Sequence, residues 1–64
     1  MWTDKDAIDV ERDDKVKFLG TEYMVQAIIP WLEYRHMILR HYSGATVEHD
    51  FAPYQQVEVW QLTD

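Results

Sequence analysis

The chain has 64 residues, of which 47% are apolar and 14% aromatic, and its net charge is −6. This length fits one small domain, and the apolar content is too high for a disordered segment. Cysteine is absent, which excludes disulfides, a cysteine-ligated zinc site and a thiol nucleophile, and no apolar run approaches the roughly 18 residues of a membrane-spanning helix.

Acidic residues are concentrated at the start of the chain. We therefore predict an acidic, solvated N-terminal segment over residues 1–13 and a domain over residues 14–64. An acidic segment can contact a basic protein surface and raise the association rate, and its candidate partner-binding residues are Asp4, Asp6, Asp9, Glu11 and Asp13. An N-terminus of this composition is neither a signal nor a transit peptide, so the expected location is the cytoplasm. The acidic balance also disfavours nucleic acid and anionic membranes as partners.

Alternating residues predict two strands in the first half of the chain. Residues 14–18 place Val16 and Phe18 on one face and lysines on the other, and Gly20 follows in a predicted turn. A second strand is predicted over residues 23–29 and ends near Pro30, which cannot donate to a ladder. The residues expected on one side of this strand are Tyr23, Val25, Ala27 and Ile29.

Residues 31–42 fit two structures. A helix would have Pro30 at its first position, an apolar stripe and Gly44 near its end. A strand is favoured, because a turn at residues 43–45 and a second alternating segment at residues 46–51 complete a hairpin. In the expected register Arg40 lies opposite Glu48, and the common inner face consists of Met37, Leu39, Val47 and Phe51.

The end of the chain predicts a single tight helical turn at Pro53 and a last strand over residues 57–60. Together these elements predict an all-β fold, a small five-stranded, strongly bent antiparallel barrel preceded by the short N-terminal segment. The alternative is an α+β fold with a helix at residues 31–42.

This order of strands and turns over residues 14–60 resembles the Src-homology-3-like small barrels, and among them the stand-alone Tudor- and KOW-like modules. The resemblance is one of spacing and involves no signature motif. Members of these families bind proline-rich peptides, methylated side chains, nucleic acid or other proteins, so the resemblance implies a barrel and assigns no partner. Neither a peptide-binding acidic loop nor a basic KOW loop is present in the sequence, and no binding residue is transferred.

No catalytic, metal-binding or cofactor-binding site is predicted. His36, His41 and His49 are the nitrogen ligands available to a metal, and His41 and His49 would share one face of the hairpin, but their spacing matches no zinc pattern. Ser43 near His41 is better explained by a turn than by a nucleophile. With only two glycines, the chain has no phosphate-binding loop.

Aromatic residues are the stronger candidates for binding. Trp31, Tyr34 and Tyr54 lie in predicted connections, where exposed Trp and Tyr commonly anchor partners, and Arg35 lies beside them. The sequence fits a core position for these three aromatics equally well. Trp2 and Trp60 lie near the two ends of the chain, where they can pack together, and Trp60 is assigned to the core.

The sequence therefore favours a non-enzymatic, acidic protein-binding module, an adaptor or inhibitor that docks on a larger protein as a monomer or weak homo-oligomer. A small single-domain product fits a phage or plasmid origin. One alternative is a nucleic-acid-binding barrel that uses Lys15, Lys17, Arg35 and Arg40. Another is a structural protein that self-associates through an exposed edge strand.

Overall fold

A computed structural model describes residues 1–62. The chain forms six β-strands and one short 3₁₀ turn at Ala7–Asp9. The strands are β1 (Trp2–Asp6), β2 (Lys15–Phe18), β3 (Thr21–Pro30), β4 (Arg35–Arg40), β5 (Thr46–Phe51) and β6 (Gln56–Trp60). The predicted all-β class is confirmed, and the alternative helix over residues 31–42 is wrong because β4 occupies the centre of that stretch.

The strands form one antiparallel sheet in the order β1-β6-β2-β3-β4-β5, and the sheet is not closed among the described residues. It has six strands and not five, because Trp2–Asp6 pairs along the whole of β6, from Trp2 opposite Trp60 to Asp6 opposite Gln56. β1 and β5 are its two edges. The N-terminal residues are thus part of the sheet.

The core lies on the inner face of this sheet. Its buried residues are Ala7, Val10, Val16, Val25, Met37, Leu39, Phe51, Val57 and Val59. Ala7 and Val10, at 0% and 1% exposure, come from the segment between β1 and β2. Ala7 N–H donates to the Gln55 carbonyl (2.8 Å), and Val25 N–H donates to the Asp14 carbonyl (2.9 Å), so this segment connects the turn before β6 to the middle of β3.

A β-bulge divides β3 into two halves. The register with β4 shifts between Val25 and Ala27, which leaves Gln26 as the extra residue. One extra residue reverses the faces, so Val25 and Ile28 point to the core while Ala27 and Ile29 point outwards. The prediction that alternate residues from Tyr23 to Ile29 share one side is correct before the bulge and wrong after it.

The β4–β5 hairpin differs from its predicted register by two residues. Arg40 lies opposite Thr46, and Glu48 lies opposite Ile38. A five-residue loop over residues 41–45 sets this register, and His41 N–H closes it by donating to the Ala45 carbonyl (2.8 Å). An even shift preserves the faces. The expected inner residues Met37, Leu39 and Phe51 are therefore buried as predicted, and Val47 is half-buried.

The turn between β2 and β3 has an unfavourable residue at its first central position. Leu19 and Gly20 have φ angles of +51° and +82° and join the paired residues Phe18 and Thr21, the arrangement of a type I′ hairpin turn. Asn adopts the left-handed region more readily than Leu. We expect Leu19→Asn to raise the free energy of unfolding by about 0.5–1 kcal/mol, measured by urea titration.

The matched control for this variant is Leu32→Asn. Leu32 is also highly exposed, but it is not among the residues with positive φ, so the same change should leave stability within about 0.5 kcal/mol of the unchanged chain. An equal increase in the free energy of unfolding of both variants would contradict the conclusion that the positive φ angle of Leu19 is unfavourable.

Candidate partner-binding site

The connection between β3 and β4 is an exposed apolar loop, called here the hairpin tip (residues 31–34). The last residue pair of the two strands is Pro30 with Arg35, and Trp31 N–H donates to the Tyr34 carbonyl (2.9 Å) to close the loop. Trp31 is 56% exposed and Leu32 is fully exposed. The Trp31 and Tyr34 rings lie 6.1 Å apart between centroids, so the two aromatics form one small surface.

The sequence accounts for the position of this loop. Pro30 has no N–H and therefore ends the ladder, and four-residue loops commonly close hairpins. The tip extends past the last paired residues, and Trp31, Leu32 and Tyr34 are all exposed in consequence. These apolar side chains contribute little to the core and are available to a partner.

Tyr54 lies at the same end of the β4–β5 pair as the hairpin tip. Tyr54 belongs to the turn of residues 52–55, in which Gln55 N–H donates to the Ala52 carbonyl (3.0 Å), and it is 75% exposed. This turn directly follows Phe51, whose partner in the register is Arg35, the residue next to the tip. The predicted anchors Trp31, Tyr34 and Tyr54 are therefore all exposed near one end of the sheet.

Arg35 differs from these three aromatics. It is half-buried, it shares the inner face with Phe51, and its Nε is buried without a hydrogen-bond partner among the described residues. An unpaired buried donor costs free energy. Arg35 thus lies on the inner face of the sheet and is less exposed than the three aromatics.

Only part of the predicted acidic surface adjoins this end of the sheet. Asp6 accepts a hydrogen bond from the Gln56 side chain, and Ile8 N–H donates to the Pro53 carbonyl (2.9 Å), so Asp6 and the 3₁₀ turn that contains Asp9 adjoin the Tyr54 turn. Asp4 lies further along β1, opposite Glu58.

Glu11 and Asp13 lie in a separate turn. Asp13 N–H donates to the Val25 carbonyl (2.9 Å), and Glu11 N–H donates to the Asp14 carboxylate (2.9 Å). The Asp13 carboxylate also lies 3.9 Å from the Arg12 guanidinium. The five candidate acids therefore do not form a single continuous patch on one strand.

The four basic residues of the nucleic-acid-binding alternative are divided between two faces of the sheet. Lys15, Lys17 and Arg40 share the outer face, as their pairings with Met24 and Glu22 require, whereas Arg35 lies on the inner face. Each lysine has an acidic neighbour: Lys15 forms an ion pair with Glu22 at 3.0 Å, and Lys17 lies opposite both Glu22 and Glu58.

Trp2 and Trp60 pack together on this outer face as predicted, with ring centroids 5.4 Å apart in an edge-to-face arrangement. The Lys17 ammonium lies 4.4 Å from the Trp2 ring centroid, close enough for a cation–π contact. Trp60 is exposed, so its assignment to the core is wrong. The inner residues of β6 are its neighbours Val57 and Val59.

The structure does not bring His41 and His49 together as the sequence suggested. His41 lies in the 41–45 loop, where its Nδ1 is 2.8 Å from the Ser43 hydroxyl, while His49 pairs with Met37 within the hairpin and packs on Phe51. Within residues 1–62, no group of three or more acidic or histidine side chains could hold a metal ion.

His36 forms a cluster with two carboxylates on the outer face of β4 and β5. Its Nδ1 lies 2.6 Å from the Asp50 carboxylate and its Nε2 lies 3.2 Å from the Glu48 carboxylate. These two hydrogen bonds, first that with Asp50 and then that with Glu48, raise the pKa of His36 above its ordinary value of 6.5. This cluster was not predicted from the sequence, because the expected β4–β5 register is shifted by two residues from the observed one.

The raised pKa predicts a pH-dependent stability. The His36 contribution is fully present below pH 6.5, where the imidazolium forms in both states, and it is lost as the pH rises through the pKa of the folded state. When the pH is raised from 5.5 to 8.5, we expect the urea midpoint of the unchanged chain to fall by more than the urea midpoint of His36→Gln. His41→Gln is the control, since its ring contacts a hydroxyl and not a carboxylate. Identical pH profiles for the unchanged chain and His36→Gln would contradict the prediction.

Among residues 1–62, no helix is long and apolar enough to cross a membrane. No protein-family model, curated protein or solved structure matches the chain.

Proposed function

We propose that this chain is a non-enzymatic protein-binding module, an adaptor or inhibitor that docks on a larger protein through the hairpin tip. The observation that carries the proposal is the exposure of Trp31, Leu32 and Tyr34 together on one short loop. Tryptophan and tyrosine are enriched among the residues that dominate binding energy at protein interfaces. A loop held by paired strands also loses little conformational entropy on binding.

The surroundings of the tip indicate the chemistry of the partner. Tyr54 adds a third exposed aromatic near the tip, and Asp6 and Asp9 lie on the elements that adjoin its turn. With a net charge of −6, the chain attracts a basic surface. The partner we propose is a larger protein with an apolar pocket that accepts Trp31 and Leu32 and a rim of lysine or arginine residues.

This function is tested by capture of a partner from a lysate of the source cells on the immobilised chain, followed by titration of the purified partner. We expect Trp31→Ala and Leu32→Ser each to weaken binding by at least tenfold, because truncation of a central interface anchor costs about 2 kcal/mol or more. Leu62→Ser is the matched control, since Leu62 is also exposed but lies after β6, away from the tip. Equal binding by all four proteins would reject the tip as the contact surface.

The same titration tests the contribution of the acids. Replacing Asp6 and Asp9 with asparagine should slow association and reduce its dependence on salt, whereas the same change at Glu11 and Asp13, made to Gln and Asn, should have a smaller effect. A larger effect of the replacements at Glu11 and Asp13 would place the basic rim of the partner against the turn that contains these two residues.

We also propose that the sheet belongs to the Src-homology-3-like small barrels. The proposal is supported by the order β6-β2-β3-β4-β5, by the turn at residues 52–55 before the last strand, and by the bend that the bulge introduces into β3. Phe18 of β2 packs on Phe51 of β5 at 5.5 Å between ring centroids, which brings β5, one end of this five-strand set, near β2, the strand next to its other end. β1 would then be an addition outside the barrel.

A further inference from the structure

A second surface, called here the outer cleft, lies between the start of β3 and the 41–45 loop. β4 ends at Arg40, opposite Met24, while β3 begins three residues before Met24. The space in which β4 would have continued is therefore open, and it forms a cleft of about 660 Å³. Lys15, Glu22 and Tyr42 also line it. The cleft lies beyond the opposite end of β4 from the hairpin tip.

The outer cleft carries positive charge on a chain whose net charge is negative. Arg40 and Lys15 line it together with a single acid, Glu22, which forms an ion pair with Lys15 at 3.0 Å. Arg40 is exposed and forms no salt bridge with any other residue of the described chain. Its guanidinium can therefore hold a carboxylate or phosphate through two parallel hydrogen bonds.

Aromatic and apolar groups form the rest of the cleft. Tyr42 is 96% exposed, and its ring lies 4.2 Å from that of His41, which in turn contacts the Tyr23 ring at 5.9 Å. The exposed Met24 side chain lies between Arg40 and Lys15 in the sheet register. A flat ring can stack on Tyr42 and bury apolar surface against Met24.

We propose that the outer cleft binds a small anionic ligand with a planar ring, of about the size of a mononucleotide. In this arrangement Arg40 holds the anionic group and Tyr42 stacks on the ring. The volume of the cleft falls in the range of roughly 300–1,000 Å³ that is typical of small-molecule sites. This site is independent of the proposed docking through the hairpin tip.

Two kinds of macromolecule fit the cleft less well. The addition of a partner strand requires several backbone N–H and C=O groups that are not already hydrogen-bonded. The backbone groups of Val25 bond to residues 13 and 14. Because successive residues of a strand direct their backbone groups to opposite sides, only the backbone of Glu22 faces the cleft between Thr21 and Met24. A nucleic-acid strand would extend along the outer face past Glu22 and Glu58, whose charges repel phosphates. A single small anion needs no open backbone groups and does not extend past Glu58, and the one acid that lines the cleft, Glu22, is paired with Lys15.

The test uses nuclear magnetic resonance titrations of the intact chain with four probes. Adenosine 5′-monophosphate and indole-3-acetate carry a ring with a phosphate or a carboxylate, and adenosine and indole-3-acetamide are their neutral counterparts. We expect at least one anionic probe to shift the amide signals of Glu22, Arg40 and Tyr42 at millimolar concentration, with its neutral counterpart binding at least fivefold more weakly. The anion that binds identifies the chemical source. If neither anion binds, or each neutral probe binds equally well, the proposal is wrong.

Variants assign the two roles. We expect Arg40→Gln to weaken binding of the anionic probe about tenfold and Tyr42→Ala about fivefold, while Tyr42→Phe retains the ring and the affinity. Arg12→Gln is the matched control, because Arg12 is an exposed arginine in the turn before β2, outside the cleft. Equal loss in Arg40→Gln and Arg12→Gln would show only a general effect of charge and would overturn the assignment.

Discussion

A fragment of residues 14–64 is expected to be largely unfolded at 25 °C, in contrast to the intact chain. The missing residues supply β1, which pairs with all five residues of β6, and the fully buried side chains of Ala7 and Val10. Burying one valine contributes about 1.5–3 kcal/mol. A domain of this length has a total stability of only about 3–10 kcal/mol, so losing a strand and part of the core should remove most of it.

Circular dichroism and urea titration of the fragment test this expectation. The control is the intact chain with Asp4→Asn, Asp9→Asn and Glu11→Gln, which removes negative charge but keeps β1 and the buried residues. This variant should fold as the unchanged chain does. Adding a peptide of residues 1–13 to the fragment should restore the strand signal. A fragment that folds alone would show that the N-terminal residues form a dispensable acidic segment.

Phe51→Ala is expected to lower the free energy of unfolding by about 3–5 kcal/mol. Phe51 is 2% exposed and contacts the rings of both Phe18 and His49, at 5.5 Å and 4.6 Å between centroids. Its truncation leaves a cavity between β2 and β5, two strands that do not pair directly. In a domain of such limited stability, the variant should be partly unfolded at 25 °C.

Tyr54→Ala provides the comparison for Phe51→Ala, because it truncates another aromatic ring only three residues away. Tyr54 is mostly exposed, so we expect its loss to change stability by less than about 0.5 kcal/mol. Urea titrations of the two variants measure the difference. Similar losses from both substitutions would contradict the burial of Phe51 or the exposure of Tyr54.

The candidate site was partly predictable from the sequence. Large aromatic residues beside Pro30 and Pro53 fitted either a core position or an exposed anchor, and the structure shows that Trp31, Tyr34 and Tyr54 are exposed. Arg35 follows the tip directly in sequence, but it is the first residue of β4, and its pairing with Phe51 turns it towards the core. Two residues that are adjacent in the sequence can therefore have side chains in different environments when a strand begins between them.

Strand pairing also explains the missed features. Alternation of apolar and polar residues identifies the two faces of a strand, but it does not identify which residue of the neighbouring strand lies opposite. A shift of two residues in the β4–β5 register leaves the faces unchanged, so the sequence pattern cannot reveal it. That shift brings His36 beside Asp50 and Glu48. The bulge at Gln26 is likewise visible only through the pairing of β3 with β4.

The sequence by itself determined the all-β class, the turn at Gly20 and the inward position of Met37, Leu39 and Phe51, because period-two alternation and turn-forming residues are local properties. Only the tertiary structure decided that Trp2–Asp6 is a strand. Its inward positions are Thr3 and Lys5, opposite Val59 and Val57, so β1 has no apolar alternation of its own. β1 is held in the sheet by its hydrogen bonds to β6 and by the valines of that strand. These contacts form only when β1 and β6, which are far apart in the sequence, come together in the folded chain.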